Sequence, residues 1–245
     1  MKRIIAGPNA VIESLRAKPG AFEVVYLADG IRSSAARRVE TVAGRARVPC
    51  ETIPRGALDI MADKLNHQGV VGITGAYPYL DLAGLLEIAS RRDDPLLVVL
   101  DQVQDPGNLG AIIRSAHALG AAGLILTRNR SAPVARGAVR SSVGASELTH
   151  VARVTNLARC LDELGETGYR TYGAAADGET NLDDVDWSGP CALVLGNESR
   201  GLRRLTREHC DQLFAIPLDA EFDSLNVSAA AAVALYAASR SRGRP

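Results

Sequence analysis

The pattern of hydrophobic and polar positions changes near residue 95 of the chain. Before that point, short apolar runs alternate with stretches of helical periodicity, which predicts a small α/β unit ending near Ala76. The elements predicted in this unit are, in chain order, a strand over 22–27, a helix over 33–46, a helix over 55–65 and a strand over 69–74. The next stretch, 76–94, predicts a connector that carries one helix over 82–90 and ends at a charged break before Pro95.

From residue 96 onward the apolar runs become nearly continuous. Such runs are typical of strands that are buried on both faces, and they predict a parallel or mixed sheet covered by helices on both sides. The predicted strands cover 96–100, 123–127, 152–154, 169–175, 191–196 and 213–218. The predicted helices cover 109–119, 134–142, 156–166, 202–209 and 227–240. We therefore expect an α/β protein with a domain over 1–75, a linker over 76–94 and a larger domain over 95–245.

The amino-acid composition is typical of a globular protein and does not indicate a particular reaction or ligand. The apolar fraction of 47% and the charged fraction of 23% are ordinary for a globular protein, and charged residues interrupt each apolar stretch before membrane-spanning length. The 4 cysteines form no CxxC pair, so we expect neither a metal site nor disulfides, and we expect a cytoplasmic protein without a membrane segment. Formal net charge is +0, so binding to nucleic acid has to be argued from other features than charge.

The first polar segment in the larger domain follows the strand over 96–100. Asp105, Pro106 and Gly107 predict a turn, and Asn108 is a candidate N-cap for the next helix. Arg114 stands in that helix among small and apolar residues, which is costly unless the guanidinium meets an anion or a carboxylate. A structural salt bridge is the alternative reading. A dinucleotide-binding site is not supported, because the full glycine fingerprint and its acidic partner are both missing.

The second polar segment follows the strand over 191–196. Gly196, Asn197 and Glu198 stand at the carboxyl end of that strand, where ligands bind in open α/β sheets. The Glu198 carboxylate could pair with Arg114 or hold a ribose hydroxyl. The segment could also be a plain connection between a strand and a helix.

The third polar segment precedes an alanine-rich helix at the end of the chain. Ser224 and Asn226 are good helix caps, which is their simplest interpretation. The helix has almost no polar face over 229–238, so it is expected to be buried inside the domain or against a second subunit. A homodimer interface is the more economical explanation for a terminal helix of this kind.

Together, the three segments resemble the signature motifs of the SpoU (TrmH) family of RNA 2′-O-ribose methyltransferases. They read NLGAIIRSA (108–116), LVLGNESRGL (193–202) and IPL…SLNVSAAAAVALY (216–236), and the resemblance covers residues 95 to 240. It extends into the first domain through IAGPNAVIESL (5–15) and NHQGVVG (66–72). Those two stretches, with RVTNLAR (153–159) and LTREHCDQLFAIP (205–217), are similar to the branch of the family that methylates a guanosine ribose of large-subunit (23S) ribosomal RNA.

The resemblance implies a SPOUT-type catalytic domain with a trefoil knot, preceded by a small L30e-like RNA-binding domain. It also implies S-adenosyl-L-methionine as cofactor, no metal, and a homodimer whose site is completed across the interface. Residues that match the family's cofactor pocket are Gly196, Ile216 and Leu225, with Leu195, Asn197, Leu218 and Ser228 nearby and Ala174 and Ala175 on the other side.

The catalytic residues that the resemblance implies are Arg114, Asn108, Glu198, Ser224 and Asn226. A guanidinium stays protonated in proteins, so we expect Arg114 to bind a phosphate and stabilise alkoxide charge rather than to act as a free base. The expected partner is ribosomal RNA, not DNA. Three alternatives stay open: a tRNA ribose methyltransferase, a resistance-type enzyme that acts on an adenosine ribose, and a non-catalytic RNA-binding assembly factor. His67, in the 66–72 stretch, is expected to be structural or RNA-facing rather than catalytic.

Overall fold

The computed structural model describes residues 2–63, 65–219 and 224–243, and within them it contains two separate sheets. The first sheet has four strands in the order β1-β4-β2-β3, with β2 and β3 parallel and the other pairs antiparallel. Its strands are β1 (Arg3–Ala6), β2 (Phe22–Ala28), β3 (Cys50–Ile53) and β4 (Val70–Thr74). Its helices are α1 (Pro8–Ala17), α2 (Ser34–Arg45) and α3 (Arg55–Ala62).

The second sheet has seven parallel strands in the order β7-β6-β5-β10-β8-β11-β9. Its strands are β5 (Leu96–Leu100), β6 (Gly123–Thr127), β7 (Val151–Val154), β8 (Arg170–Ala174), β9 (Thr180–Asn181), β10 (Cys191–Leu195) and β11 (Gln212–Ala215). The helices around it are α4 (Leu82–Ala89), α5 (Pro106–Ala118), α6 (Arg136–Ser142), α7 (Ala145–Leu148), α8 (Leu157–Glu166), α9 (Arg204–Glu208) and α10 (Val227–Ser241).

The strands β5, β6 and β10 are buried along their whole length, because helices cover both faces of the second sheet. One core includes side chains of α5 and α10, and the other includes side chains of α4 and α8. This confirms the α/β class with a parallel sheet that the apolar runs predicted. The trefoil knot stays a prediction.

The connector over 76–94 packs on the second sheet. Leu82, Leu85 and Ala89 of α4 lie in its core, and Leu80 forms a parallel bridge with Ala152 of β7. The last part of this stretch leads directly into β5. The first unit is therefore tied closely to the second through this segment.

Two polar contacts join the first unit to helices α6 and α7. Arg3 of β1 forms an ion pair with Glu147 of α7, and both side chains are almost fully buried. Arg136 of α6 donates to the carbonyl of Ala62 at 2.7 Å and pairs with Asp63 at 3.1 Å, at the end of α3. These contacts fix the position of the first unit on the α6–α7 side of the second.

Several predicted boundaries differ from the structure. Strands β1 and β3 and helix α1 were not predicted, and the last predicted strand, 213–218, ends at Ala215. The assignment of Asn108 as an N-cap was wrong. Helix α5 begins at Pro106, and its N-cap is Asp105, whose side chain accepts a hydrogen bond from the Asn108 N–H at 2.7 Å.

In the described ranges, no helix is both long and apolar enough to cross a membrane. The same ranges contain no cluster of histidine, cysteine and acidic side chains arranged to hold a metal ion.

Candidate active site

The carboxyl ends of β5, β10, β8 and β11 lie side by side at one edge of the second sheet, because these strands are parallel neighbours. The loops that follow β8, β10 and β11 surround a cavity of about 830 Å³ together with the start of α10. A cleft at strand carboxyl ends is where open α/β sheets bind their ligands. This cavity is therefore the candidate active site.

The cavity gathers most of the residues that the sequence assigned to cofactor binding. Those on its lining are Ala174, Ala175, Leu195, Gly196, Asn197, Ile216, Leu218 and Leu225. Ser228 is not on the lining, and its N–H and hydroxyl both donate to the side-chain oxygen of Asn226, at 2.8 and 2.6 Å. Of the residues expected to be catalytic, Glu198 and Ser224 line the cavity.

Gly196 lies where the loop after β10 folds back on itself. A Cβ at this position would come within 2.1 Å of the carbonyl carbon of Gly201 and 2.3 Å of the Leu202 nitrogen. The fold-back is closed by reciprocal backbone hydrogen bonds of 2.9 Å between Asn197 and Gly201. Only glycine leaves room for this close approach, so the loop presents its backbone to the cavity.

Glu198 is held by donors from the loop after β5. Its carboxylate accepts hydrogen bonds from the N–H groups of Gln104 at 3.1 Å and Asp105 at 3.0 Å, and from the amide of Asn108 at 3.3 Å. Burial would raise the pKa of the Glu198 carboxyl, but the backbone hydrogen bonds and the Asn108 amide outweigh it, so that the pKa lies below its usual value. Glu198 is therefore an anion that orders the neighbouring loop.

A chain of hydrogen bonds links the three motifs. The Asn108 amide donates to Glu198, and the Asn108 oxygen accepts from the Asn226 amide at 3.1 Å. Asn226 is the N-cap of α10 and accepts from Ser228. Asn108, Glu198 and Asn226 thus form one polar cluster at the edge of the cavity.

The cavity walls combine apolar side chains with backbone. Leu218 and Leu225 are each 39% exposed, and both face the cavity with Ile216. Apolar walls with nearby backbone donors and acceptors suit a flat heterocycle such as an adenine ring. The residues present therefore fit a nucleoside-containing cofactor.

An ion pair on the cavity lining was not foreseen from the sequence. Arg207 of α9 donates two hydrogen bonds to Asp177, at 2.9 and 2.8 Å, and both residues line the cavity. The hydrogen bond from Arg207 lowers the pKa of the Asp177 carboxyl. The two residues stand 30 positions apart with no motif around Asp177, so no sequence signal indicated the pair.

Arg114 does not lie on this cavity. Its exposed side chain makes no hydrogen bond or ion pair with the part of the chain that the structure describes, and it lines a second cleft, which also contains Arg140. Of the two roles that the sequence left open for Glu198, a pairing with Arg114 is not formed within one copy of the chain. Glu198 binds backbone amides and Asn108 instead, because the loop after β5 offers these donors at close range.

Comparison with known proteins points to one family. The family model described as the SpoU rRNA methylase family matches residues 95–236, and one described as RNA 2′-O ribose methyltransferase substrate binding matches residues 4–80. A 23S rRNA (guanosine-2′-O-)-methyltransferase of Xanthomonas axonopodis pv. citri is 40% identical over 241 residues, which are 97% of this chain and 96% of that protein.

Two solved structures with bound AdoMet are similar along nearly the whole chain. The SpoU methyltransferase AviRb of Streptomyces viridochromogenes in complex with AdoMet has a TM-score of 0.82 and 28% identity, covering 98% of this chain and 90% of that one. The AdoMet-bound rRNA methyltransferase of Sinorhizobium meliloti has a TM-score of 0.83 and 26% identity, covering 98% and 87%.

Proposed function

This chain belongs to the SpoU rRNA methylase family, and we propose that it methylates a ribose 2′-hydroxyl of RNA with S-adenosylmethionine as methyl donor. The substrate we propose is a guanosine of large-subunit (23S) ribosomal RNA, as in the relative from Xanthomonas. The observation that carries the proposal is the cavity at the strand ends, whose rim joins all three motifs through Glu198, Asn108 and Asn226.

The cavity would hold the methyl donor through the loops after β8, β10 and β11. Gly196 and its neighbours on the lining would offer backbone groups, and Ile216, Leu218 and Leu225 would offer apolar contact to an adenine ring. When bound, S-adenosylmethionine supplies an electrophilic methyl group on a sulfonium. Holding the two reactants in line can supply about 7–11 kcal/mol of the barrier reduction, so positioning is the main task of these residues.

Arg114 would bind the phosphate next to the target ribose and stabilise the negative charge that develops on the 2′-oxygen. One copy of the chain places Arg114 outside the methyl-donor cavity. We therefore propose a homodimer in which Arg114 of one copy meets the cavity of the other. The face of α10 that carries Val233, 41% exposed, and Tyr236, 60% exposed, supports a contact between copies.

We further propose the division of labour that the sequence predicted. Residues 1–75 bind the RNA, 76–94 connect, and 95–245 carry out methyl transfer. The match of residues 4–80 to a substrate-binding family model supports this division. The reaction would take place in the cytoplasm, where ribosomal RNA is assembled.

The test is transfer of tritiated methyl from S-adenosylmethionine to unmodified 23S rRNA and, separately, to tRNA, followed by mapping of alkali-resistant linkages. We expect label in one guanosine ribose of the rRNA and loss of that label in Arg114→Ala. Label in tRNA alone would keep the chemistry and overturn the proposed substrate. No label in either RNA would contradict the enzymatic function and favour an RNA-binding assembly factor.

A further inference from the structure

A second cleft, of about 570 Å³, lies between the first unit and helices α5 to α7. One wall carries residues of the segments 6–9 and 66–68, and the opposite wall carries Arg114 and Arg140. The first wall comes from the two motifs of the first unit, 5–15 and 66–72, which the methyl-donor cavity does not use. The cleft thus brings these motifs to the same place as Arg114.

The loop over 66–69 has a fixed shape. His67 is buried, bonds Asp59 through Nε2 at 2.8 Å, and accepts the Gly69 N–H on Nδ1 at 3.2 Å. Gly69 has a φ of 79°, and a Cβ there would come within 2.6 Å of Ile31 Cδ1. His67 is therefore a structural residue, and its role is to hold the loop from which Asn66 and Gln68 face the cleft.

The two walls are held at a set distance from one another. The buried pair between Arg3 and Glu147 and the contacts of Arg136 with the end of α3 join them on the α6–α7 side. Gly144, with a φ of 91°, lets the turn between α6 and α7 run close to Ala10 of α1, where a Cβ would meet Ala10 at 3.6 Å. These contacts fix the two walls of the cleft relative to one another.

Several polar side chains of the cleft are available for a ligand, whereas Glu13, which also lines it, is paired with Arg16 at 3.0 Å. Asn9, Asn66, Gln68, Arg114 and Arg140 are exposed, and none of these side chains makes a hydrogen bond within residues 2–63, 65–219 and 224–243. Amide side chains both donate and accept, which matches the edges of nucleic-acid bases, and guanidinium groups match phosphate.

The apolar residues of the cleft indicate whether a nucleic-acid base would be bound by stacking on an aromatic ring or by hydrogen bonds to its edge. No phenylalanine, tyrosine or tryptophan is found among the described residues around the cleft, whereas Ile4, Ala6 and Pro8 give it an apolar side. A base there would lie against apolar groups and be recognised by its edge. Unpaired nucleotides offer their edges freely, which is why sequence-specific RNA binding proteins select them.

We propose that this cleft seats one unpaired nucleotide of the RNA substrate, next to or at the methylated ribose. Arg140, together with Arg114, holds its phosphate, and Asn66 and Gln68 hydrogen-bond the edge of its base. This inference rests on the proposed function, because it takes RNA as the ligand. It adds a nucleotide-binding site that the first unit and the methyltransferase unit form jointly.

The phosphate contact is tested with Arg140→Ala, and Arg159→Ala is the matched control. Arg159 is also an exposed arginine, on α8, which lies against the core on the other face of the second sheet. We expect Arg140→Ala to weaken binding of a 23S rRNA fragment about tenfold at low salt, as for loss of one charge-assisted contact. In Arg140→Ala, the slope of log affinity against log salt concentration should also become shallower by about 0.7. Arg159→Ala should keep the wild-type affinity and the wild-type slope.

The base contact is tested by pairing Asn66→Ala/Gln68→Ala with a series of RNA fragments, each lacking one base near the methylated ribose. In the wild type, removal of one particular base should weaken binding about tenfold, and the double variant should show no further loss at that same position. The salt dependence of the double variant should stay that of the wild type, because no charge is removed.

Binding is measured without turnover, so failure of the inference and failure of the proposed function are distinguishable. The cleft would not be a nucleotide site if Arg140→Ala bound RNA as tightly as the wild type. The same conclusion would follow if the loss of affinity from Asn66→Ala/Gln68→Ala added to the loss from base removal at every position tested. Both conclusions hold even where the enzyme is active. A lower melting temperature or weaker AdoMet binding in the variants would show that the side chains act through the fold, which also overturns the inference. An inactive wild type would instead contradict the proposed function.

Discussion

At the scale of single residues, the proposed reaction is expected to depend most on Arg114. Its guanidinium is exposed on α5 and has no partner within the described ranges, so its planar set of donors is free for phosphate and ribose oxygens. Lysine supplies only a point charge. We expect Arg114→Lys to lower the single-turnover rate of methyl transfer about 100-fold while RNA affinity changes little, as for loss of a donor that acts in the transition state.

The measurement is single-turnover methyl transfer at saturating RNA and S-adenosylmethionine. Arg159→Lys is the matched control, because it makes the same exchange on the opposite side of the sheet. A rate for Arg114→Lys close to that of the wild type would show that the guanidinium is not needed for methyl transfer.

At the scale of secondary-structure elements, Asn226 has two separable tasks. Its oxygen caps α10 by accepting from Ser228, and its amide donates to Asn108 of α5. Serine is as good an N-cap as asparagine but has no amide to reach α5. We expect Asn226→Ser to keep the free energy of unfolding within about 0.5 kcal/mol and to lower methyl transfer, whereas Asn226→Ala should also cost about 1 kcal/mol of stability.

Urea unfolding and steady-state kinetics on the two variants check this prediction. If Asn226→Ser transfers methyl groups as fast as the wild type, the link between α5 and α10 has no part in catalysis. If Asn226→Ala is as stable as the wild type, the cap contributes nothing to α10.

Helices and strands could be predicted from the sequence where burial alone determines the residue types. Strands β5 and β10 are apolar at every position, because both faces of the sheet are covered. Strand β3 escaped prediction because it is an edge strand with mostly exposed side chains, and β1 because its Arg3 is buried by a partner 144 positions away. The N-cap of α5 could have been predicted from the sequence. Proline is favoured at the first position of a helix, so Pro106 indicates that the preceding residue, Asp105, is the N-cap.

The candidate site was predictable only in part, for a similar reason. The motif residues at the ends of parallel strands had to converge, and Gly196, Ile216 and Leu225 indeed line one cavity. The separate location of Arg114 was not predictable. It depends on the orientation of α5, which is set by packing against α6 and against α10, a helix more than 100 positions further along the chain.

At the scale of the whole molecule, the buried pair of Arg3 and Glu147 holds the two units together. Removing one partner leaves an unpaired charge in the interior, so Arg3→Met should cost about 3–5 kcal/mol of stability. The double variant Arg3→Met/Glu147→Leu should recover most of that loss, because neither charge then stays buried. The exposed pair of Arg91 and Glu87 is the control, and Arg91→Met should change stability by less than about 1 kcal/mol.

Urea unfolding of the four proteins gives these differences. A single variant as stable as the wild type would show that the pair does not join the units. A double variant as unstable as Arg3→Met would show that the geometry of the pair, rather than its buried charge, matters.

At this scale we propose that two copies of the chain complete one site, with Arg114 from one copy and the methyl-donor cavity from the other. The most direct measurement is methyl transfer by a purified heterodimer of Arg114→Ala and Gly196→Val, isolated with a different tag on each copy. Valine at Gly196 would collide with the Gly201 backbone and close the cavity. Each variant alone should be inactive, while the heterodimer, with one intact composite site, should show about half of the wild-type activity. A heterodimer as inactive as its two parents would contradict the shared site.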